Sequence, residues 1–317
     1  MRSREQTVSR RLAVYLTILL SVAMCAAAGA EPQAVPEEQG PAALDCGPPA
    51  GLALAWKPIF QGVEYGKAVK TDPPVVAHAV RIRLQTPGIA FLATPSNGDK
   101  PGETDGRKVS AFLKEHGLQV AINASPYGPV NNIDGGLRDI AGLSISQGEI
   151  CSQPGPSYAA LLIGRENKVW FDTPPIDTTG AYNAVGGFHM LLADGTNVGT
   201  GGERHPRTAV GTSRDGACLY FLVIDGRQPR HSLGTTTAET AEWLRALGAY
   251  TALNLDGGGS TALAIDDGHG GAKVMNRPIH AFLPGRERVN GNNLGVHARP
   301  LKQAGLMKNE GQGAGDD

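Results

Sequence analysis

The sequence predicts a mixed α/β or α+β fold. Mixed β-sheets carry few helices, and one strand–helix–strand unit spans residues 218–255. Three observations predict it. Glycine and proline are abundant, at 43 and 22 of 317 residues, while charged residues make up only 19%, a balance that favours short strands and turns over helical bundles. Apolar stretches are short, and some alternate with period two, as at Val80, Ile82 and Leu84 around Arg81 and Arg83. Only two stretches combine an apolar helical face with a stop or start signal.

Residues 1–30 read as an export signal. Arg2, Arg4, Arg10 and Arg11 form a basic start, residues 12–28 are apolar, and Ala28-Gly29-Ala30 offers small residues for cleavage before Glu31. The expected location is periplasmic or secreted. The competing reading is a retained anchor, lipid-attached through Cys25, although Met24 is the wrong residue before such a cysteine. No stable membrane span is expected after cleavage. Cleavage removes four arginines and one glutamate, so the formal net charge moves from −1 to −4. With no basic stripe and no interleaved aromatics, nucleic acid is not an expected partner.

Residues 31–50, rich in Pro, Ala, Glu and Gly, read as a flexible arm. Residues 51–299 read as a single domain and residues 300–317 as a disordered tail. Cys46, Cys151 and Cys218 follow the signal, and export permits one disulfide among three pairings. Cys218 opens an apolar strand and is expected as a buried thiol, which favours Cys46–Cys151. The oligomeric state is not encoded in any pattern seen here.

The elements follow in order. Residues 80–84 are a half-buried strand, with residues 89–93 as its hairpin partner. Val109, Phe112, Leu113 and His116 share a helical face that Gly117 ends, and a strand over 118–122 then delivers Asn123. Residues 124–142 are loop-like. Hairpins are expected at 143–150, around Gly148, and at 159–171. The strand at 218–224 ends in Asp225-Gly226. Thr236 and Glu239 offer a capping box, Ala241, Leu244 and Leu247 an apolar face, and Gly248 a stop. The strand at 251–255 ends in Asp256-Gly257. If the two strands are parallel in one sheet, Asp225 and Asp256 leave it at the same carboxyl-end edge, where such sheets place ligands, and an intervening strand could set them more than one strand spacing of about 4.8 Å apart. A further hairpin is expected across 262–275 and a last strand at 294–296.

The stretch Asn254-Leu255-Asp256-Gly257-Gly258-Gly259-Ser260-Thr261 sets an acid beside three glycines and two hydroxyls. Successive loop N–H groups can cradle an anion. It is not a nucleotide loop, because no lysine and no helix follow the glycines. It is not a serine-hydrolase elbow, because Ser260 is followed by Thr261-Ala262. Asp225 and Asp256 could act as the carboxylates of glycoside cleavage. No compact zinc-type ligand spacing appears, so no cofactor or metal is expected; the alternative is a metal-dependent phosphodiesterase, which loss of activity on chelation would favour.

Three further motifs accompany this loop: His205-Pro206-Arg207-Thr208-Ala209-Val210-Gly211, Asp225-Gly226-Arg227, and Val274-Met275-Asn276-Arg277-Pro278. Arg286 to Val289 and Asn292-Asn293-Leu294-Gly295-Val296 complete the series. In this order they resemble the phosphodiester glycosidase family over about residues 75–298. Where that family carries Asn-Gly-Gly-Tyr-Phe, this chain has Asn123-Ala124-Ser125-Pro126-Tyr127. The resemblance implies hydrolysis of an N-acetylglucosamine-1-phosphodiester-like substrate at the sugar carbon, releasing sugar and a phosphomonoester. On this reading Asp256 acts at the anomeric centre as nucleophile or base, and Asp225 assists or orients. Arg207, Ser260 and Thr261, with the N–H groups of Gly257, Gly258, Gly259 and Ser260, stabilise the departing phosphate. Asn123 and His205 bind sugar hydroxyls, and Thr208, Asn254, Asn276, Arg277, Arg286 and Asn292 complete the expected site. The expected partner is a glycan or sugar phosphate. The competing expectation is a non-catalytic carbohydrate-binding or exopolysaccharide-assembly factor on the same scaffold.

Overall fold

The protein was analysed as a computed structural model that describes residues 54–301. The expected export signal, the arm and the tail beyond residue 301 lie outside the described residues.

The fold is mostly β. An eight-stranded sheet holds, in order, Lys57–Phe60, Val63–Thr71, Pro74–Arg83, Cys218–Ile224, Arg207–Thr212, Thr251–Asn254, His189–Ala193 and Thr196–Asn197. A five-stranded sheet orders Ala272–Val274, Leu263–Asp266, Val120–Asn123, Asn293–His297 and Ala90–Ala93. A second five-stranded sheet is built around Ala159–Ile163 and Asn183–Gly187. The α-helices are Val109–Glu115 and Thr237–Leu247.

Period-two alternation sets the layers. Along Cys218–Ile224, Leu219, Phe221 and Val223 enter a core shared with Phe91, Ile122 and Leu161, where the three sheets meet. Cys218, Tyr220, Leu222 and Ile224 point to the other face, against Ala241, Leu244 and Leu247 of the second helix. That helix has the expected ends. Thr236 and Glu239 form a capping box, and Gly248 adopts a left-handed φ of 106°.

Three expectations need correction. Pairing throughout the eight-stranded sheet is antiparallel, so the sheet is not mixed. The strands at 218 and 251 are parallel to each other only because Arg207–Thr212 lies between them and pairs with both. Residues 90–93 do not form a hairpin with residues 80–84. After Gly88, at φ 97°, the chain crosses to the other sheet and pairs with Asn293–His297. Finally, Cys218 is disulfide-bonded and Cys151 is a free thiol, which overturns the expected Cys46–Cys151 pairing. Cys218 does face the interior, but burial of a sulfur does not decide whether it is oxidised.

Candidate active site

The strand ends converge on Pro206-Arg207. Arg207 is paired across the sheet with Ile224, so Asp225 emerges beside it. On the other side the Leu255 N–H donates to the Thr208 carbonyl at 2.9 Å and the Gly258 N–H to the Pro206 carbonyl at 2.9 Å. The two acids thus leave strands separated by two strand spacings, roughly 10 Å of backbone. Glycines allow the loops to close on one another. A Cβ at Gly226 would sit 2.5 Å from the Pro206 nitrogen, and one at Gly257 would sit 2.7 Å from the Pro206 carbonyl oxygen.

Asp256 is partly buried, and its backbone is held by the second sheet. Its N–H donates to the Ala124 carbonyl at 2.9 Å, and its carbonyl accepts from Asn123 Nδ2 at 2.6 Å. Burial pushes the Asp256 carboxyl up to about 6, against the opposing pull of a Ser260 hydrogen bond, the Arg288 charge and the Gly257 N–H. At neutral pH it is therefore still largely ionised.

Asp225 is 1% exposed and almost fully engaged. Its Oδ1 accepts from Asn276 Nδ2 at 3.1 Å and from the Arg277 N–H at 2.8 Å. Its Oδ2 lies 2.7 Å from His231 Nε2 and 3.9 Å from His78 Nε2. His78 in turn meets the Tyr65 hydroxyl at 2.8 Å through Nδ1. Burial pushes His78 down to about 4, so it is neutral near pH 7, while burial and the Asp225 charge push Tyr65 up to about 12. Asp225 thus anchors three segments of chain, and the arrangement suits an orienting role.

Arginines surround the glycine loop. Arg227 lies over Gly258, where an added Cβ would come within 3.2 Å of its guanidinium, and Gly258 has φ 62°. Arg288 occupies the space above Gly259, and its Nη1 donates to Ser260 Oγ at 3.2 Å. Arg207 donates through Nε to the Thr235 carbonyl at 2.9 Å and through Nη2 to the Glu203 carbonyl at 3.2 Å. Its pKa is depressed by burial and then by the Arg227 charge. Among the described residues, none of Arg207, Arg227 and Arg288 forms an ion pair with a carboxylate. Gathered cations with no carboxylate in ion-pair contact form a site for an anion.

Several expected residues contribute differently from the expectation. Two of the expected loop amides are spent internally, Gly258 on Pro206 and Ser260 on the Gly257 carbonyl, because the loop folds into the 3₁₀ turn Gly258–Ser260. Asn123 is 1% exposed, and its Oδ1 accepts from Thr208 Oγ1 at 2.7 Å and from the Ala262 N–H at 3.1 Å. Asn123 and Thr208 therefore brace the Asp256 loop rather than facing a sugar. Asn276 bridges Asp225 and the Thr261 carbonyl. Arg277 acts through its backbone, with its side chain exposed. Arg286 is exposed; Arg288, two residues later, is the arginine that reaches the loop. Asn292 is buried and donates to Ser125 and Ser144 at 3.2 and 2.9 Å, some way into the interior. His205 lies on the rim with Nδ1 3.3 Å from Arg227 Nη2, its pKa lowered by burial and by Arg227 and Arg207. Asn254 Oδ1 and Thr261 Oγ1 are buried without a hydrogen-bond partner among the described residues, leaving polar capacity beside the loop.

His78, His231 and Arg288 escaped the sequence reading. Arg288 stood inside the quoted 286–289 motif, so motif membership could have flagged it. His231 and His78 lie in no pattern; only the fold brings them to Asp225.

Comparison with known proteins follows from this geometry. The family model described as phosphodiester glycosidase matches residues 116–297, which include every expected site residue. No curated protein matches the sequence. Solved structures share the fold. A Synechocystis protein without an assigned function is 17% identical with a TM-score of 0.60, the likeness covering 79% of this chain and 64% of that one. The chain thus spans less than two thirds of that protein. The catalytic domain of zebrafish N-acetylglucosamine-1-phosphodiester alpha-N-acetylglucosaminidase, auto-inhibited by its pro-peptide, is 19% identical with a TM-score of 0.57, covering 79% of this chain and 85% of that one. A protein from Burkholderia pseudomallei is 15% identical with a TM-score of 0.51, the likeness covering 70% of this chain and 74% of that one. With more than half its length matched by the family model, and with the motif loops converging on one carboxylate and three arginines, the chain belongs to the phosphodiester glycosidase family.

Proposed function

We propose that the protein is an exported hydrolase that cleaves a sugar-1-phosphodiester, of the N-acetylglucosamine-1-phosphodiester kind, between the anomeric carbon and the phosphate oxygen. The observation that carries this reading is the pair Arg227 and Arg288 over the loop that holds Asp256, with Arg207 close enough to feel the Arg227 charge, none of the three in an ion pair with a carboxylate among the described residues. The arginines bind the phosphodiester and stabilise charge as it leaves. The C1–O bond breaks with its electron pair staying on the phosphate oxygen. A phosphomonoester is a weakly basic leaving group and needs little protonation. Asp256, ionised at neutral pH, donates an electron pair to C1 or takes the proton of the attacking water. Asp225 positions the surrounding loops and His231.

The test is incubation with an aryl-phosphate ester of N-acetylglucosamine-1-phosphate. Free sugar and aryl phosphate are expected, and Asp256→Asn should abolish release. One feature favours a second reading, a non-catalytic carbohydrate-binding factor: the sequence Asn123-Ala124-Ser125-Pro126-Tyr127 departs from the family pattern beside Asp256. Binding of the ester without release would favour it.

A further inference from the structure

Ten large apolar side chains are exposed among the described residues, and four of them lie on two loops fastened to one segment beside the active site. Phe282 is 76% exposed and Leu283 52%; Val130 is 57% exposed and Ile133 64%. The first loop is tied in through Arg288 Nε, which donates to His280 Nδ1 at 3.1 Å. The second is tied in through Asn132 Oδ1, which accepts from the Val289 N–H at 3.0 Å. Arg288 itself reaches Ser260 of the glycine loop.

Phe282 is held outward by a built turn. Gly285 N–H donates to the Pro278 carbonyl at 2.7 Å, His280 N–H to the Arg286 carbonyl at 3.0 Å, and Leu283 N–H to the His280 carbonyl at 3.1 Å. Within that closed turn Ala281 and Phe282 take φ of 53° and 60°, a left-handed conformation that costs a non-glycine residue free energy. The chain thus bears strain where it presents an aromatic ring to solvent.

The charges around this tip are cationic. Arg277 and Arg286, at the two ends of the turn, are exposed. Glu287, the nearest acid in sequence, is taken up by the N–H and hydroxyl of Ser110 at 3.2 and 2.5 Å. Asp134, next to Ile133, is the one exposed acid on the second loop between residues 130 and 137. An apolar tip flanked by two exposed arginines matches the interface of an anionic bilayer, with the ring and aliphatic groups among the head groups and guanidiniums on the phosphates.

We propose that these two loops dock the protein on an anionic membrane surface through Phe282, Leu283, Val130 and Ile133, with Arg277 and Arg286 on acidic head groups. Docking turns the mouth of the site toward the bilayer. Its substrate is then a phosphodiester whose alcohol is a lipid, a clause that rests on the proposed function; docking itself does not.

The test is co-sedimentation of the full chain with vesicles of phosphatidylcholine alone and of phosphatidylcholine with about one third phosphatidylglycerol. Binding to the anionic vesicles is expected, weakened at least about tenfold by the double variant Phe282→Ser/Leu283→Ser. Val69→Ser, at an equally exposed position (63%) on the strand Val63–Thr71, should bind as wild type does. Circular dichroism confirms that the double variant is folded, and it should hydrolyse the soluble aryl-phosphate ester at the wild-type rate. Wild-type protein left in the supernatant with both vesicles would overturn the proposal. So would equal binding to both compositions, or undiminished binding by a folded double variant. A wild type that binds vesicles but releases no sugar from any phosphodiester would refute the proposed function and leave the docking standing.

Discussion

Replacing Asp256 by asparagine should cost activity and add stability, with a pH dependence that follows from burial. The fold raises this carboxyl from the ordinary 3.8 to about 6, chiefly by desolvation. At 1.36 kcal/mol for each tenfold change in proton affinity, ionising it costs about 3 kcal/mol more in the native state than in the unfolded chain. Because the folded pKa lies above the unfolded one, the native state binds the proton more tightly. The Asp256 contribution to wild-type stability should therefore be most favourable below about pH 4, decline as pH rises to about 6, and level off above it. Asp256→Asn carries no such penalty. Urea denaturation of both proteins from pH 4 to pH 8 should show nearly equal stabilities at the acid end and the variant ahead by about 2–3 kcal/mol at pH 8. A constant difference across this range, or a variant less stable than wild type at pH 8, would refute the reasoning.

Other outcomes follow from the same contacts. Asp225→Ala leaves buried donors on Asn276, Arg277 and His231 without their acceptor and should lower stability by about 2–4 kcal/mol in urea denaturation, whereas a surface carboxylate would cost almost nothing. Arg288→Gln removes a charge that holds the Asp256 carboxyl down, so the acid limb of the kcat/KM profile should move from about pH 6 to higher pH. Gly226→Ala places a Cβ 2.5 Å from the Pro206 nitrogen and should shift Arg207, lowering turnover by about a hundredfold while the protein remains folded by circular dichroism.

What the sequence reveals here is what short-range chemistry controls. The capping box at Thr236 and Glu239, the stop at Gly248 and the strands at 218 and 251 are written in adjacent residues, and the structure has all of them. The strand between them is not legible in the same way. Arg207–Thr212 enters the gap from earlier in the chain, and nothing local in the 218–255 unit announces it. The site divides along the same line. Asp225 and Asp256 stood out because each ends an apolar strand before a glycine. Their partners His78 and His231, and the bracing role of Asn123, depend on contacts between distant segments, such as the 133-residue separation of Asn123 and Asp256. Sequence chemistry identified the glycine loop as an anion cradle built from its own amides. The fold instead spends two of those amides internally and leaves Arg227 and Arg288 over the loop.

The central claim is cleavage at the sugar carbon rather than at phosphorus. Hydrolysis of the aryl-phosphate ester of N-acetylglucosamine-1-phosphate in water enriched in heavy oxygen, read by mass spectrometry, tests it most directly. Label in the released sugar, with none in the aryl phosphate and no release by Asp256→Asn, is the result the account predicts. Label in the phosphate product would contradict it.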